Sequence, residues 1–305
     1  MKKGIERCFH HCFTLVVTSI LLNISFGPHC FSQSKDSITS LVNKKRLNTV
    51  IIGSGAAYTG TVIALSSVWY SQYDKQSFHF FNDAAEWKQV DKAGHFYSAF
   101  QLSAIGSGLA QWSNVSKSKS DKVASLTSFF MMSSIELLDG YSAGYGASGS
   151  DLLANALGAS FYLGQNLLWN ETRIYPKFSF HRTDYASLRP NTLGSTSSEE
   201  LIKDYNGQTY WLSVDTDKFT RFPKWLNLAV GYGANEMVYA NDNQNSGAGF
   251  TAYRQYYLGF DFDLTAFRSK SKVLNTLIFV ANMIKLPAPS LEFSNGKLRG
   301  HLLSY

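Results

Sequence analysis

The sequence predicts a mainly α protein, in which a membrane-associated four-helix bundle is followed by a small antiparallel β region, an α+β arrangement overall. Charged residues are only 16% of the 305 residues, against roughly 25% in an average soluble protein. Four stretches of helical length and very low charge follow one another over 47–170. From residue 225 the apolar residues recur at every second position, which is the period of a strand. The mean hydropathy of −0.13 excludes a polytopic transporter.

Residues 1–32 have the pattern of a secretory signal peptide. Two lysines and an arginine lie within the first seven residues, before an apolar stretch at 13–24, as in such signals. We therefore expect an exported chain that begins near Gln33, with 33–46 as a polar tether. All three cysteines precede Gln33, so we expect no disulfide and no cysteine metal site in the mature chain. His29 precedes Cys30, where a lipoprotein signal has a small residue, which argues against a lipid anchor.

The helical bundle domain is predicted over 47–170. Its first helix, 47–73, carries no formal charge and exceeds the roughly 20 residues that cross a bilayer. Gly53, Gly55 and Gly60 would let a neighbouring helix approach closely. The alternative is a buried helix of a soluble bundle. Further helices are predicted at 90–112, 122–141 and 150–169; because short loops join them, we expect antiparallel neighbours.

The C-terminal part is predicted as a linker and a sheet. Residues 171–224 mix charges with proline and a glycine-serine run, which indicates an irregular linker with a short helix near 199–205. Residues 225–305 are predicted as a small antiparallel sheet region, since apolar residues alternate at 226–230 and 256–264. A helix is predicted within 269–285. Asn295-Gly296 predicts a hairpin turn after it.

Polar residues interrupt the apolar helices at helical spacing, in the pairs Asp91 and His95, Glu136 and Asp139, and Asp151 and Asn155. Residues three or four apart share one helix face. In an antiparallel bundle the start of the second helix, the end of the third and the start of the fourth lie at the same end. We therefore predict that these side chains converge there, which is costly unless they bond one another.

Three interpretations of this polar end remain open. His95 with Glu136 or Asp139 could perform acid–base catalysis, since histidine titrates near neutral pH. A histidine with carboxylates could also hold a divalent metal, although our prediction includes neither a metal nor a cofactor. In the third, structural interpretation, the acidic residues cap helices and staple the bundle. The residues predicted to bind a ligand are Asp91, Lys92, Asp151, Asn155, Ser148 and Gly146.

Ser148 and Gly146 belong to a glycine-serine loop before the last helix of the bundle. Such a loop can expose amides to an anion at a helix N-terminus; the alternative is a plain connection. The sequence contains neither the Gly-x-Ser-x-Gly elbow of serine hydrolases nor the His-Glu-x-x-His motif of zinc proteases. The net charge of +6 forms no dense basic stripe, so nucleic acid is not an expected partner.

Three motifs resemble the YfiM-like family of predicted periplasmic lipoproteins, which has no established activity. They are Asp-Lys-Ala-Gly-His at 91–95, Glu-Leu-Leu-Asp-Gly at 136–140 and Ser-x-x-Asp-x-x-x-Asn-x-x-Gly at 148–158. The first and third are also similar, more loosely, to motifs of the VanZ-like membrane proteins. The resemblance covers about 47–169 and leaves the C-terminal sheet outside. It implies a bacterial cell-envelope protein of the periplasm, at the inner or outer membrane.

Three functions are compatible with these observations. In the first, the protein binds a membrane lipid or a lipid-linked glycan at the polar end of the bundle. In the second, it is a hydrolase or transferase that uses His95 with Glu136 or Asp139 on such a lipid. In the third, it is a structural envelope protein without a ligand. An envelope protein is a further possible partner.

Overall fold

Three long helices pack side by side and carry the polar residues described above. The computed structural model describes residues 41–70 and 73–304; the predicted signal peptide and most of the tether lie outside them. After α1 (Lys44–Trp69), the packed helices are α2 (Val90–Trp112), α3 (Lys117–Asp139) and α4 (Gly149–Trp169). Many of the side chains buried between these helices are small and polar, among them Ser103, Ser107, Ser125 and Ser128. Larger side chains such as Leu126 and Phe130 lie exposed on the outside.

The structure does not show a four-helix bundle, because α1 packs little against the other three helices and is mostly exposed. Its predicted close-approach positions, Gly53, Gly55 and Gly60, have no neighbouring atom near the place of an added Cβ. The helix begins at Lys44, within the predicted tether, where the Asn43 side chain accepts a hydrogen bond from the Arg46 amide at 3.0 Å. Within the described residues, one helix segment, Lys44–Ala64, is long and apolar enough to cross a membrane.

The sheet is larger than the sequence predicts and begins directly after α4. It has six strands in chain order, each antiparallel to the next. They are β1 (Ile174–Phe180), β2 (Gln208–Val214), β3 (Leu226–Asn235), β4 (Tyr253–Phe262), β5 (Ala288–Ser294) and β6 (Lys297–Ser304). The prediction of an irregular linker over 171–224 is therefore wrong, since this stretch supplies β1 and β2. It also holds α5 (Pro190–Leu193) and α6 (Ser197–Lys203), the latter near the predicted short helix.

The remaining connections follow the expected chemistry. A short helix, α7 (Asp242–Gly247), joins β3 to β4, and α8 (Lys272–Ala281) lies within the stretch predicted as a helix. The β5–β6 turn is at Asn295-Gly296, where φ is 49° and 70°. Such left-handed pairs match the twist of a two-residue hairpin.

The two faces of the sheet are inverted relative to those of a soluble protein. Successive strand residues point to opposite faces; on β4, Gln255, Gly259 and Asp261 are buried whereas Leu258 and Phe260 are exposed. The buried face holds charge, because the Lys177 ammonium lies 2.7 Å from an Asp261 carboxylate oxygen. This ion pair joins β1 to β4, which are not neighbours in the sheet, so the sheet curls around its polar face.

The bundle docks on the sheet through the start of α2. Val90 forms a buried apolar cluster with Ala234 and Met237 beyond the centre of β3. Immediately before Val90, Trp87 and Lys88 have positive φ values of 47° and 50°, an uncommon conformation outside glycine. The Trp87 amide donates to the Ala240 carbonyl at 2.9 Å, and the Tyr232 hydroxyl donates to the Lys88 carbonyl. The sheet therefore holds the start of α2, and with it the polar residues that follow.

Candidate functional site

Lys92 is the central cation of the polar end. Its ammonium lies 2.6 Å from Asp83, 2.8 Å from Asp91 and 2.8 Å from Asp151. All four side chains are at most 16% exposed. Ion pairs so poorly hydrated depend on one another, because any charge left alone would be buried without a partner. Lys92 therefore holds together residues from the 73–83 segment, α2 and α4.

His95 lies one helical turn after Asp91 and faces α3 and α4. Its Nδ1 is 3.0 Å from the Asn155 Oδ1 and 3.7 Å from the Glu136 Oε1. Its Nε2 is 3.9 Å from the Asp151 Oδ2. The three helices thus bring together four residues from three separate stretches of the sequence. The imidazole is 20% exposed and the Glu136 side chain only 3%, so His95 is the more accessible of the two.

Burial keeps several of these carboxyl groups from ionising easily. Burial raises the pKa of Glu136 to about 9, and the carboxylates of Asp151 and Asp139 add to this effect. Burial also raises the pKa of Asp91 to about 6, although the Lys92 charge opposes it. The pKa of Asp151 is raised by burial as well. At neutral pH the Glu136 carboxyl is therefore protonated and can donate a hydrogen bond.

A segment that sequence reasoning did not assign to the site covers this end of the bundle. Residues 73–83, which we call the strap, pair with the α3–α4 loop: the His79 amide donates to the Gly140 carbonyl at 2.9 Å, and the Phe81 amide to the Ala147 carbonyl at 3.1 Å. Asp83, at its end, joins the Lys92 network. Burial opposes ionisation of Asp83, but hydrogen bonds from Lys92 and two serines outweigh it and lower its pKa.

Asp139 contacts Tyr70 and not His95, the partner that we considered from the sequence. The Tyr70 hydroxyl, just after α1, donates to the Asp139 Oδ1 at 2.5 Å. Burial raises the pKa of Asp139 to about 6 against this hydrogen bond. Glu136, not Asp139, contacts His95. Of the two acid–base pairs considered, the geometry therefore favours His95 with Glu136.

The glycine-serine loop is occupied by groups of the protein itself. Ser148 caps α4 by accepting the Asp151 amide at 3.0 Å, and its hydroxyl donates to Asp83 at 2.5 Å. The Ser148 amide donates to the Glu136 Oε2 at 3.2 Å, so an incoming anion would compete with that carboxyl. Gly146 packs under the strap, where a Cβ would collide with Phe81. Ligand binding by Ser148 and Gly146 stays a prediction.

The last glycine of the third motif has a packing role. Gly158 follows Asn155 by three residues on α4, and a Cβ there would overlap the Phe96 carbonyl of α2. This glycine lets the two helix backbones approach closely, which brings Asn155 within reach of His95. The spacing of the motif is thus explained by the geometry of one helix crossing.

Among the residues that the structure describes, two groups could supply metal ligands. One is His95, Glu136 and Asp151, and the other is Asp83, Asp91 and Asp151; in each, one ligand atom per residue lies within 4.8 Å of the others. The Lys92 ammonium already lies among the second group. A divalent ion there would be repelled by that charge, so only the first group suits a metal.

The sequence analysis did not predict that Asp83 and Tyr70 contribute to the polar end of the bundle. Asp83 lies in an aromatic connection that carries no helical period, so spacing could not align it with α2 or α4. Its one sequence signal is its place shortly before Asp91, in a chain where acidic residues are few.

One comparison with known proteins finds a similarity over part of the chain. Residues 78–166 match a family model described as a predicted periplasmic lipoprotein, DUF2279. No curated protein and no solved structure matches the chain. The matched residues run from the strap to α4 and contain all the residues predicted for the site, whereas the sheet lies beyond them. The finer resemblances to the YfiM-like and VanZ-like families stay predictions. A match to a periplasmic lipoprotein family of unassigned activity over this segment fits an exported protein of the cell envelope.

Proposed function

We propose that this exported envelope protein is membrane-associated and binds the polar head of a lipid or a lipid-linked glycan at the polar end of α2–α4. The main support for this proposal is that three buried polar atoms at this end have no hydrogen-bond partner among the described residues: Asp91 Oδ1, Glu136 Oε1 and Asn155 Nδ2. Leaving such an atom unsatisfied costs about 1–3 kcal/mol. A hydroxyl-rich head would supply partners to all three atoms, because a hydroxyl group can both donate and accept a hydrogen bond.

Apolar side chains next to the site suit the rest of an amphiphile. Leu153 and Leu157 stand on the outer side of α4 and are more than half exposed, while Asp151 and Asn155 of the same turns point inward. Leu137, beside Glu136, is also exposed. A lipid chain along these leucines would place its head near His95. Exposed apolar surface of this kind marks contact with a membrane or a ligand.

The test is to identify what the protein retains from an envelope lipid extract. The purified, detergent-solubilised chain is exposed to the extract, washed and analysed by mass spectrometry. We expect one lipid class to be enriched on the natural chain and reduced at least tenfold on Glu136→Gln and on Asn155→Ala. Asp121→Asn is the matched control, because Asp121 is a buried carboxylate at the other end of the bundle.

Each outcome of this test has a defined meaning. Asp121→Asn should retain the lipid as the natural chain does. Equal retention by all four proteins, or retention of a random sample of the extract, would contradict a site at the polar end. Circular dichroism and size-exclusion chromatography on each variant show whether a loss reflects unfolding.

A second candidate function is supported by the pair His95 and Glu136. A protonated Glu136 could act as a general acid, and His95, 3.7 Å away, as a base. Timed incubation with the same extract tests this idea, since a hydrolase or transferase must produce new lipid masses. We expect those masses to be absent with His95→Ala and with Glu136→Gln. A retained lipid that never changes mass would leave binding as the function.

A further inference from the structure

One face of the sheet carries exposed apolar side chains on four strands. The start of α2 packs against one end of this face, at Tyr232 and Ala234, and no described element covers the exposed side chains beyond it. In register across the sheet, Val230 of β3 pairs with Leu258 of β4, and Leu258 pairs with Leu291 of β5. All three are exposed. A neighbouring row places Tyr256 opposite Phe293. We call the exposed side chains of these rows on β3–β6 the outer face; they are Leu228, Val230, Tyr256, Leu258, Phe260, Leu291, Phe293 and Leu298.

The opposite face shows that this arrangement is not an accident of a poorly buried sheet. Glu292 is 3% exposed and lies 2.8 Å from the His301 imidazole, and Asp261 is fully buried with Lys177. A sheet in water places its charges outward and its leucines inward. Strands that face lipid do the reverse, with apolar residues outward and polar residues inward.

We infer that the outer face lies against the hydrocarbon of a membrane leaflet that contains anionic lipid. Charge at one edge favours this partner. The β2–β3 turn and the segment after β4 meet at the same end of the sheet, where Leu226 pairs with Phe262. The exposed charged side chains of residues 215–225 and 263–272 are all basic: Lys218, Arg221, Lys224, Arg268, Lys270 and Lys272. Basic residues beside an apolar surface match anionic headgroups beside hydrocarbon.

The neighbouring helix extends the same surface. On α8, Val273, Leu277 and Val280 are half or more exposed, and Lys272 begins the helix. A helix with a basic start and exposed apolar residues suits the membrane interface. The apolar rows run from Leu226 to Val230 along β3, which is about 15 Å at the usual rise of a strand. Since a hydrocarbon core is about 30 Å thick, the face suits partial insertion.

This surface is separate from the polar end of the bundle, so the two proposals can fail independently. The probe is a bimane fluorophore on a single cysteine in the full-length chain carrying Cys8→Ser, Cys12→Ser and Cys30→Ser. One protein carries Leu258→Cys on the outer face. The matched control carries Leu188→Cys, because Leu188 is equally exposed, at 55% against 54%, but lies outside the sheet.

The labelled proteins are reconstituted into vesicles of phosphatidylethanolamine and phosphatidylglycerol whose acyl chains are brominated. We expect strong quenching of bimane at position 258 and little at 188. Replacing phosphatidylglycerol by phosphatidylcholine should weaken vesicle binding about fivefold for each basic residue engaged. The triple variant Val230→Thr, Leu258→Thr, Leu291→Thr keeps good strand formers and should lower vesicle partitioning at least tenfold. Leu188→Thr, its control, should leave partitioning unchanged.

Several results would overturn the inference. Vesicle flotation without quenching at 258 would show that another part, such as α1, makes the attachment. Absence of flotation with anionic vesicles would reject membrane contact altogether. If bimane at 258 is shielded in lipid-free protein that sediments as a dimer, a second copy covers the face instead. None of these readouts depends on Glu136, so Glu136→Gln should quench as the natural chain does.

Discussion

Replacing Lys92 with methionine removes the one ammonium group that three buried carboxylates share. Methionine keeps much of the side-chain volume, so the change is mainly one of charge. Removing one partner of a buried ion pair costs about 3–5 kcal/mol. Because Asp83, Asp91 and Asp151 all lie within 2.8 Å of the ammonium, we expect Lys92→Met to lose about that much unfolding free energy at pH 8.

The loss should shrink in acid. The pKa of Asp91 is already about 6 in the folded protein, against 3.8 as its ordinary value. A carboxyl group with a raised folded pKa binds its proton more tightly when folded, so stability falls as pH rises through that window. Removing the Lys92 charge raises this pKa further, at about 1.4 kcal/mol per pH unit. At pH 5 the Asp91 carboxyl is protonated in the folded state, so the part of the penalty that comes from Asp91 disappears.

Urea unfolding in detergent micelles at pH 5 and pH 8, followed by circular dichroism, measures both effects. Lys117→Met is the matched control, because Lys117 pairs with Asp121 at the other end of the bundle. There Asp121 keeps hydrogen bonds from the Ser107 and Tyr162 hydroxyls, and the Lys117 side chain is 33% exposed, so we expect a smaller loss than for Lys92→Met. An equal loss in the two variants, or a Lys92→Met loss that does not depend on pH, would show that the three carboxylates do not depend on the Lys92 charge.

Three further predictions concern the contact of His95 with Glu136, the crossing of α2 and α4, and export. In a double-mutant cycle by urea unfolding, His95→Ala with Glu136→Ala should cost less than the sum of the single changes, since the groups lie 3.7 Å apart; additive losses would argue against a shared site. Gly158→Ala should cost about 1–3 kcal/mol of unfolding free energy, because the added Cβ overpacks against the α2 backbone. Gly164→Ala on the same helix meets no atom and should be neutral or stabilising by up to about 1 kcal/mol. Similar changes in melting temperature at the two positions would contradict the close helix crossing. N-terminal sequencing of the mature protein should begin near Gln33, and recovery of the initiating methionine would end the export prediction.

The helices of the bundle, and the end at which their polar residues meet, can be predicted from the sequence. Apolar stretches of helical length predict α2, α3 and α4, and short loops between them leave few alternatives to antiparallel packing. The meeting of His95 with Glu136 then needs no tertiary information. Asn295-Gly296 likewise predicts its hairpin, because few residue pairs tolerate two successive left-handed conformations.

Which face of each helix and strand is buried depends on the tertiary structure. An apolar alternation with period two is the same whether the leucines point to a core or to the outside, so the pattern around Leu258 could not reveal the inverted sheet. The strands in 171–224 were hidden for a similar reason, since Lys177 and Ser213 stand at buried positions where an apolar residue is expected. Gly53 and Gly60 permit close packing but do not supply the partner helix. The contact of Asp83 with Lys92 depends on where the strap folds back, and that is set by its backbone pairing with the α3–α4 loop, which no local spacing encodes.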